Sequence, residues 1–212
     1  MLDEKISSGT GMGILFVISA PSGAGKTTLA RLAVENISGV KQSISHTTRG
    51  KRNGEVEGKS YIFVAKEKFL DMVKAGSFIE WVELHGEYYG TSYDTVLNAK
   101  KDGMDLILVI DVQGAVKLRQ KYHDTVLIFI FPPSIKALEE RLEKRGTELP
   151  ESIVRRIEEA KREIGASVNY DYLVINDQIE DAADELTHII HAERCRLDRR
   201  SRNFPELLPQ QQ

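Results

Sequence analysis

The chain alternates short apolar runs with longer stretches of helical spacing. Ile14-Leu-Phe-Val-Ile18, Leu106-Ile-Leu-Val-Ile110, Val126-Leu-Ile-Phe-Ile-Phe131 and Tyr172-Leu-Val-Ile175 are short and rich in branched residues. Such runs predict strands buried in a parallel sheet. Helical patterns are expected from Lys26 to about Ile37, stopping near Gly39, and from Tyr93 to Lys101, stopping at Gly103. Further helices are expected from a Ser134 N-cap to about Lys144, from Glu151 to Ser167, and from Asp181 to about Arg200. Strands alternating with helices specify an α/β fold with a parallel sheet. The stretch 43–90 breaks this rhythm. It mixes short alternating segments with one helix, Lys66 to Lys74, and has no long buried strand of its own. It reads as an inserted lobe.

The first strand runs into Ala20-Pro21-Ser22-Gly23-Ala24-Gly25-Lys26-Thr27, followed by Thr28. This is close to G-x-x-x-x-G-K-[ST], with Ala20 at the first glycine position. Gly23 and Gly25 let the backbone turn its N–H groups inward toward phosphate oxygens. The helix that follows adds its positive N-terminal end. Lys26 would reach the β- and γ-phosphates of ATP, and the Thr27 hydroxyl is suited to Mg²⁺. The strand before it and the helix after it are the context this motif requires. GTPases, ATPases and small-molecule kinases share such a cradle, so the acceptor side must decide between them.

That side is legible in Ser43 to Val64, which holds Arg49, Lys51, Arg52 and Lys59 among hydroxyls and glycines. Ser-His-Thr-Thr-Arg49, Arg52, Gly-Glu-Val-Glu-Gly58 and Tyr61 resemble the nucleotide-monophosphate lobe of guanylate kinases. So do Phe78-Ile-Glu-Trp81, Tyr88-Tyr-Gly-Thr91, Ile110-Asp-Val-Gln-Gly114, Arg141 to Gly146 and Val174-Ile-Asn-Asp177. The resemblance runs in order from about Ile14 to Arg194. It implies a P-loop NTPase core with a parallel sheet flanked by helices, an inserted monophosphate-binding lobe and a helical lid. The implied boundaries are a core of 14–42, 93–134 and 169–204, a GMP lobe of 43–92 and a lid of 135–168, with tails at 1–13 and 205–212.

The resemblance also implies roles. Arg49, Arg52, Tyr61 and Tyr89 would grip the GMP phosphate, for which arginine forks and tyrosine hydroxyls are suited. Glu80 would accept from N1–H and the 2-amino group of guanine, and Ser45 and Thr91 would supply hydroxyls. Adenine offers N1 as an acceptor, so Glu80 would repel it. Arg141, Arg145 and Arg156 would close over the transferring phosphoryl group, with Arg155 an adjacent rival for Arg156. Asn176 would lie near the donor adenine. Asp111 has two uses open to it, one on Mg²⁺ through water and one on the acceptor nucleotide. Where the family often has another aspartate, this chain has Val109. The implied reaction moves the γ-phosphoryl of ATP to GMP or dGMP with Mg²⁺.

Composition narrows the partners. A net charge of −3 and a pI near 6.0 argue against general nucleic-acid binding. The longest apolar run is too short to span a bilayer, and the polar first residues do not read as a secretory signal. The single cysteine, Cys195, excludes an internal disulfide and fits a reducing cytoplasm. Oligomeric state stays open between monomer and homodimer. His46 and His85 lack metal-ligand spacing and read as structural, while His188 and His191 lie three apart on the last helix but have no third ligand in evidence and read as surface groups. An N-K-x-D guanine signature, which a regulatory GTPase would need, is missing. A non-catalytic peptide-binding domain is disfavoured by Lys26, Thr27 and the lid arginines together.

Overall fold

The computed structural model describes residues 13–144 and 150–201. Five parallel strands form the main sheet in the order β2-β7-β1-β8-β9. They are β1 (Leu15–Ser19), β2 (Val40–Gln42), β7 (Asp105–Val109), β8 (Val126–Phe131) and β9 (Tyr172–Ile175). The period-2 pleat sends alternate side chains to opposite faces. Phe16, Ile18, Ile107, Ile128 and Ile130 pack on one face with α1 (Lys26–Asn36) and α7 (Ile179–Arg194). Leu15, Val17, Leu106, Leu108 and Leu127 pack on the other with α3 (Tyr93–Lys101) and α4 (Val112–Lys121). Both faces are covered, which is why the strands read as unbroken apolar runs.

A second, four-stranded sheet has the order β4-β3-β6-β5. Its strands are β3 (His46–Thr47), β4 (Ile62–Phe63), β5 (Phe78–Leu84) and β6 (Glu87–Ser92), with α2 at Lys66–Lys74. His85 and Gly86 turn the β5–β6 hairpin, both at positive φ. The remaining helices are α5 (Ile135–Glu143), α6 (Pro150–Gly165) and a short α8 (Leu197–Arg200).

Four departures from the sequence reading have physical causes. β2 is a fifth strand of the main sheet; it is three residues long and carries Lys41 at the edge, so it gives no apolar run. β9 is not a strand buried throughout, because it is the opposite edge: Val174 is buried while Leu173 and Ile175 are about half exposed. The helix α4 was not foreseen; it opens on the Asp111 side chain, which accepts from the N–H groups of Gln113 and Gly114 at 3.0 Å each. The closing helix stops at Arg194 rather than Arg200, and α8 begins anew at Leu197. Ser134 caps α5 as expected, accepting from the Ala137 N–H at 3.0 Å.

Candidate active site

The cradle lies at the end of the central strand. Gly25 caps α1 in the left-handed region, at φ 93°. A Cβ there would also lie 2.2 Å from the Asn176 amide nitrogen, so only glycine fits. Asn176 follows β9, is buried, and donates that amide to the Ala24 carbonyl at 2.7 Å. Pro21, Ala20 and Ala24 are buried, while Ser22, Thr27 and Thr28 are exposed. Lys26 is half-buried and donates to the Ala20 carbonyl at 3.3 Å.

Side chains of α5 and α6 meet this cradle. Leu138 and Leu142 of α5 approach Gly23. Arg141 donates to the Asn176 carbonyl at 2.9 Å, and Arg156 of α6 donates to the Ser22 hydroxyl at 3.3 Å. Arg155 is exposed, so Arg156 is the member of the pair on the cradle. Arg145 lies outside the described residues.

The second sheet builds a polar pocket opposite. A bulge in β5 shifts the register between Phe78 and Glu80. Bulges re-aim side chains, and here Ile79 joins the main core while the next residue, Glu80, is buried as a carboxylic group. Glu80 pairs with Thr91 of β6, and the Thr91 hydroxyl lies 3.4 Å from that of Ser45. Its Oε1 has no hydrogen-bond partner among the described residues. Burial pushes the Glu80 carboxyl up to about 7, partly offset by hydrogen bonding from Thr91 and assisted by the charge of Asp111. A Cβ on Gly114 would sit 3.0 Å from both Glu80 Oε2 and Asp111 Oδ1. Gly114 is therefore where α4 and β5 touch.

Arg49 lies over the Tyr61 ring at 5.4 Å, and Tyr61 meets Tyr89 edge-on with ring centroids 6.1 Å apart. Arg49 pairs with Glu55 at 2.6 Å, and Glu55 also accepts from the Arg52 backbone N–H at 2.8 Å. The Arg52 side chain is exposed. The two basic residues and two tyrosines thus share one end of the second sheet, with Glu55 as an acidic neighbour. His46 stacks edge-on against Phe78, and His188 and His191 are exposed.

A hard cation such as Mg²⁺ takes few protein ligands and keeps water and phosphate oxygens. The residues present fit that demand. Thr27 is exposed at the start of α1, and Asp111 retains carboxylate lone pairs beyond its two cap bonds. Among the described residues there is no group of three or more His, Cys, Asp or Glu side chains arranged to hold a metal by themselves.

A sequence model described as guanylate kinase matches residues 12–193. The chain belongs to the guanylate kinase family. It is 50% identical to the guanylate kinase of Syntrophotalea carbinolica over 187 residues, 88% of this chain and 89% of that one. It is 45% identical to the guanylate kinase of Caldanaerobacter subterraneus subsp. tengcongensis over 88% of this chain and 91% of the relative. The crystal structure of guanylate kinase from Anaplasma phagocytophilum superposes with a TM-score of 0.75 at 36% identity, covering 89% of this chain and 90% of that one. The P-loop α/β fold that the motifs implied is therefore the fold of the chain.

Within this guanylate kinase fold, three residues of the site were not singled out from sequence. Glu55 holds Arg49, Gly114 lets Glu80 and Asp111 approach, and Glu163 projects from α6 toward Lys26 and Asp111. Glu55 pairs with Arg49 six residues away, in a loop whose residues show no periodicity, and Gly114 meets Glu80 only through the fold. Glu163 is one charge among many on a helix dense in both signs. Val109 takes part in the main core beside Ile18, its neighbour in register.

Proposed function

We propose that the chain transfers the γ-phosphoryl group of ATP to GMP, and to dGMP, giving ADP and GDP or dGDP. The observation that carries this is the buried Glu80 beside Thr91 and Ser45, with one oxygen unpartnered. A desolvated carboxylate gains most from two directed N–H donors, and guanine presents such a pair on N1 and the 2-amino group. Arg49, Arg52, Tyr61 and Tyr89 are the groups for the acceptor phosphate. The residues from Ala20 to Thr28 are the groups for the donor phosphates. Arg141, Arg156 and Arg145 would offset charge that develops on the transferring group. Thr27, and Asp111 through water, would hold Mg²⁺, which supplies charge neutralisation on the phosphate oxygens.

No covalent intermediate is needed. Positioning and charge neutralisation supply the rate, and lid closure excludes water that would hydrolyse ATP. The division into a core, a GMP lobe of 43–92 and a lid of 135–168 follows from this reading, as does a cytoplasmic location, where both nucleotides are held. The test is ADP formation from ATP and Mg²⁺ with GMP, dGMP, AMP, CMP and UMP as acceptors, with Lys26→Ala as control. Turnover restricted to the guanine nucleotides and lost in the variant is expected. Turnover with another monophosphate instead would overturn the role given to Glu80.

A further inference from the structure

Glu163 has no part in the scheme above, yet its place in the fold is specific. Helix α6 docks on the cradle through Arg156, whose guanidinium reaches Ser22. Ala160, one turn on, is 1% exposed and packs with Leu138 and Leu142. Glu163 follows on the same face, about two turns after Arg156. That face therefore delivers its carboxylate into the cleft between the cradle and the N-terminus of α4.

The groups that face it come from every element around the cleft. Lys26 faces it from α1, Asp111 from the cap of α4, and Glu159 and Arg162 from its own helix. Tyr170, just before β9, faces both Glu163 and Asp111. The buried hydroxyls of Tyr170 and Ser19 neighbour one another, so the floor of the cleft is polar. Burial pushes the Glu163 carboxyl up to about 7, and Lys26 is the foremost influence in the other direction.

We propose that Glu163 is a positioning residue for phosphoryl transfer, a lid-borne counter-ion that orients the Lys26 ammonium in the cradle when α6 is docked. A lysine ammonium is a compact charge on a flexible stem, and aiming it costs side-chain entropy. A carboxylate carried by the lid removes that freedom only in the closed state, when the reaction is to occur. Glu163 thereby makes the lysine's aim conditional on closure. The role acts on the donor side through Lys26, while Glu80 and Tyr89 lie on the second sheet and Arg49 and Tyr61 in the segments beside it.

The proposal rests on the kinase reading, and the test separates the two. Steady-state rates with ATP, Mg²⁺ and GMP would be compared for the wild-type chain, Glu163→Gln and Glu163→Asp. Glu163→Gln keeps shape and removes charge; Glu163→Asp keeps charge and shortens the reach. The expected result is a fall in kcat of roughly ten- to a hundredfold in Glu163→Gln, the scale of a misaligned catalytic group. KM for GMP should not change, and Glu163→Asp should recover part of kcat. Wild-type kcat in Glu163→Gln, a lower KM for ATP there, or a Glu163→Asp variant worse than Glu163→Gln would overturn the proposal alone. An inactive wild-type chain would overturn the kinase reading and this proposal with it.

Discussion

The Asn176 side-chain amide donates to the Ala24 carbonyl at 2.7 Å, joining the end of the last strand to the phosphate cradle across 152 residues of sequence. The Asn176 backbone carbonyl in turn accepts from Arg141 of α5 at 2.9 Å. One residue thus holds the cradle with its side chain and α5 with its backbone. A site whose donors are locked before ligand arrives loses little free energy in ordering them.

Removing the Asn176 amide should therefore damage the cradle more than a surface change would. Asn176→Ala leaves the Ala24 carbonyl buried and unpaired, which costs about 1–3 kcal/mol. A lowered melting temperature and weaker ATP binding are expected together. Gly25→Ala should be worse, since its Cβ would meet the same amide at 2.2 Å and the backbone sits at φ +93°. Thermal unfolding with and without ATP checks both. An Asn176→Ala protein with unchanged melting and ATP affinity would show that the bond contributes nothing.

GMP binding should release a proton near neutral pH. The free carboxyl of Glu80 is pushed up to about 7 by burial, so near that pH a large part of it is protonated. Two guanine donors favour the ionised form and lower the value in the complex. Affinity should then be constant above pH 7 and fall below it, by up to about tenfold per pH unit. Calorimetry in buffers of different ionisation enthalpy reads the proton directly. Glu80→Gln should abolish the Glu80 contribution and weaken GMP by roughly ten- to a hundredfold, the scale of a lost charged hydrogen-bond pair. The same proton count in wild type and Glu80→Gln would assign the release to another group, such as the phosphate.

Much of this molecule was legible in its sequence because two signals are local. Apolar runs buried on both faces marked β1, β7 and β8, and the glycine-lysine turn after β1 marked the cradle. What escaped was set by position in the sheet, by contacts made only in the fold, or by a residue type that suits two roles. β2 is too short and too edge-exposed to show periodicity. The half-exposed Leu173 and Ile175 look like core until β9 is known to be an edge. The Asp111 cap was hidden because an aspartate at a strand end suits both a helix start and a ligand site. Glu163 is indistinguishable by spacing from Glu158 or Glu159, and only docking of α6 separates them.

Arg49 and Glu55 should be coupled in acceptor binding. They are paired at 2.6 Å with both side chains mostly buried, and Glu55 also receives the Arg52 N–H. A phosphate arriving at Arg49 must share or replace that carboxylate. Arg49→Ala is expected to raise KM for GMP with a smaller effect on KM for ATP. Glu55→Gln keeps the acceptor geometry and removes the competing charge, at the expense of Arg49 placement. A double-mutant cycle on GMP affinity should give a coupling of about 0.5–3 kcal/mol, as for residues in direct contact. Additive effects within error would mean that Glu55 supports the loop alone.

Gly114 offers the sharpest steric test of the acceptor pocket. Its missing side chain faces Glu80 Oε2 and Asp111 Oδ1, and a Cβ would stand 3.0 Å from each. Helix propensity alone favours alanine over glycine by up to about 1 kcal/mol in a helix interior. Gly114→Ala should thus keep or improve the intrinsic tendency of α4 to form. The carboxylates would have to yield by a few tenths of an ångström, and Glu80 has little room because it is buried against Thr91. The expected variant is folded, with a raised KM for GMP and an unchanged KM for ATP. Binding of the two nucleotides, measured separately by titration, distinguishes this from a general loss of fold. Equal weakening of both would place the damage in the Asp111 cap rather than at Glu80, since that cap sits between the cradle and the acceptor pocket.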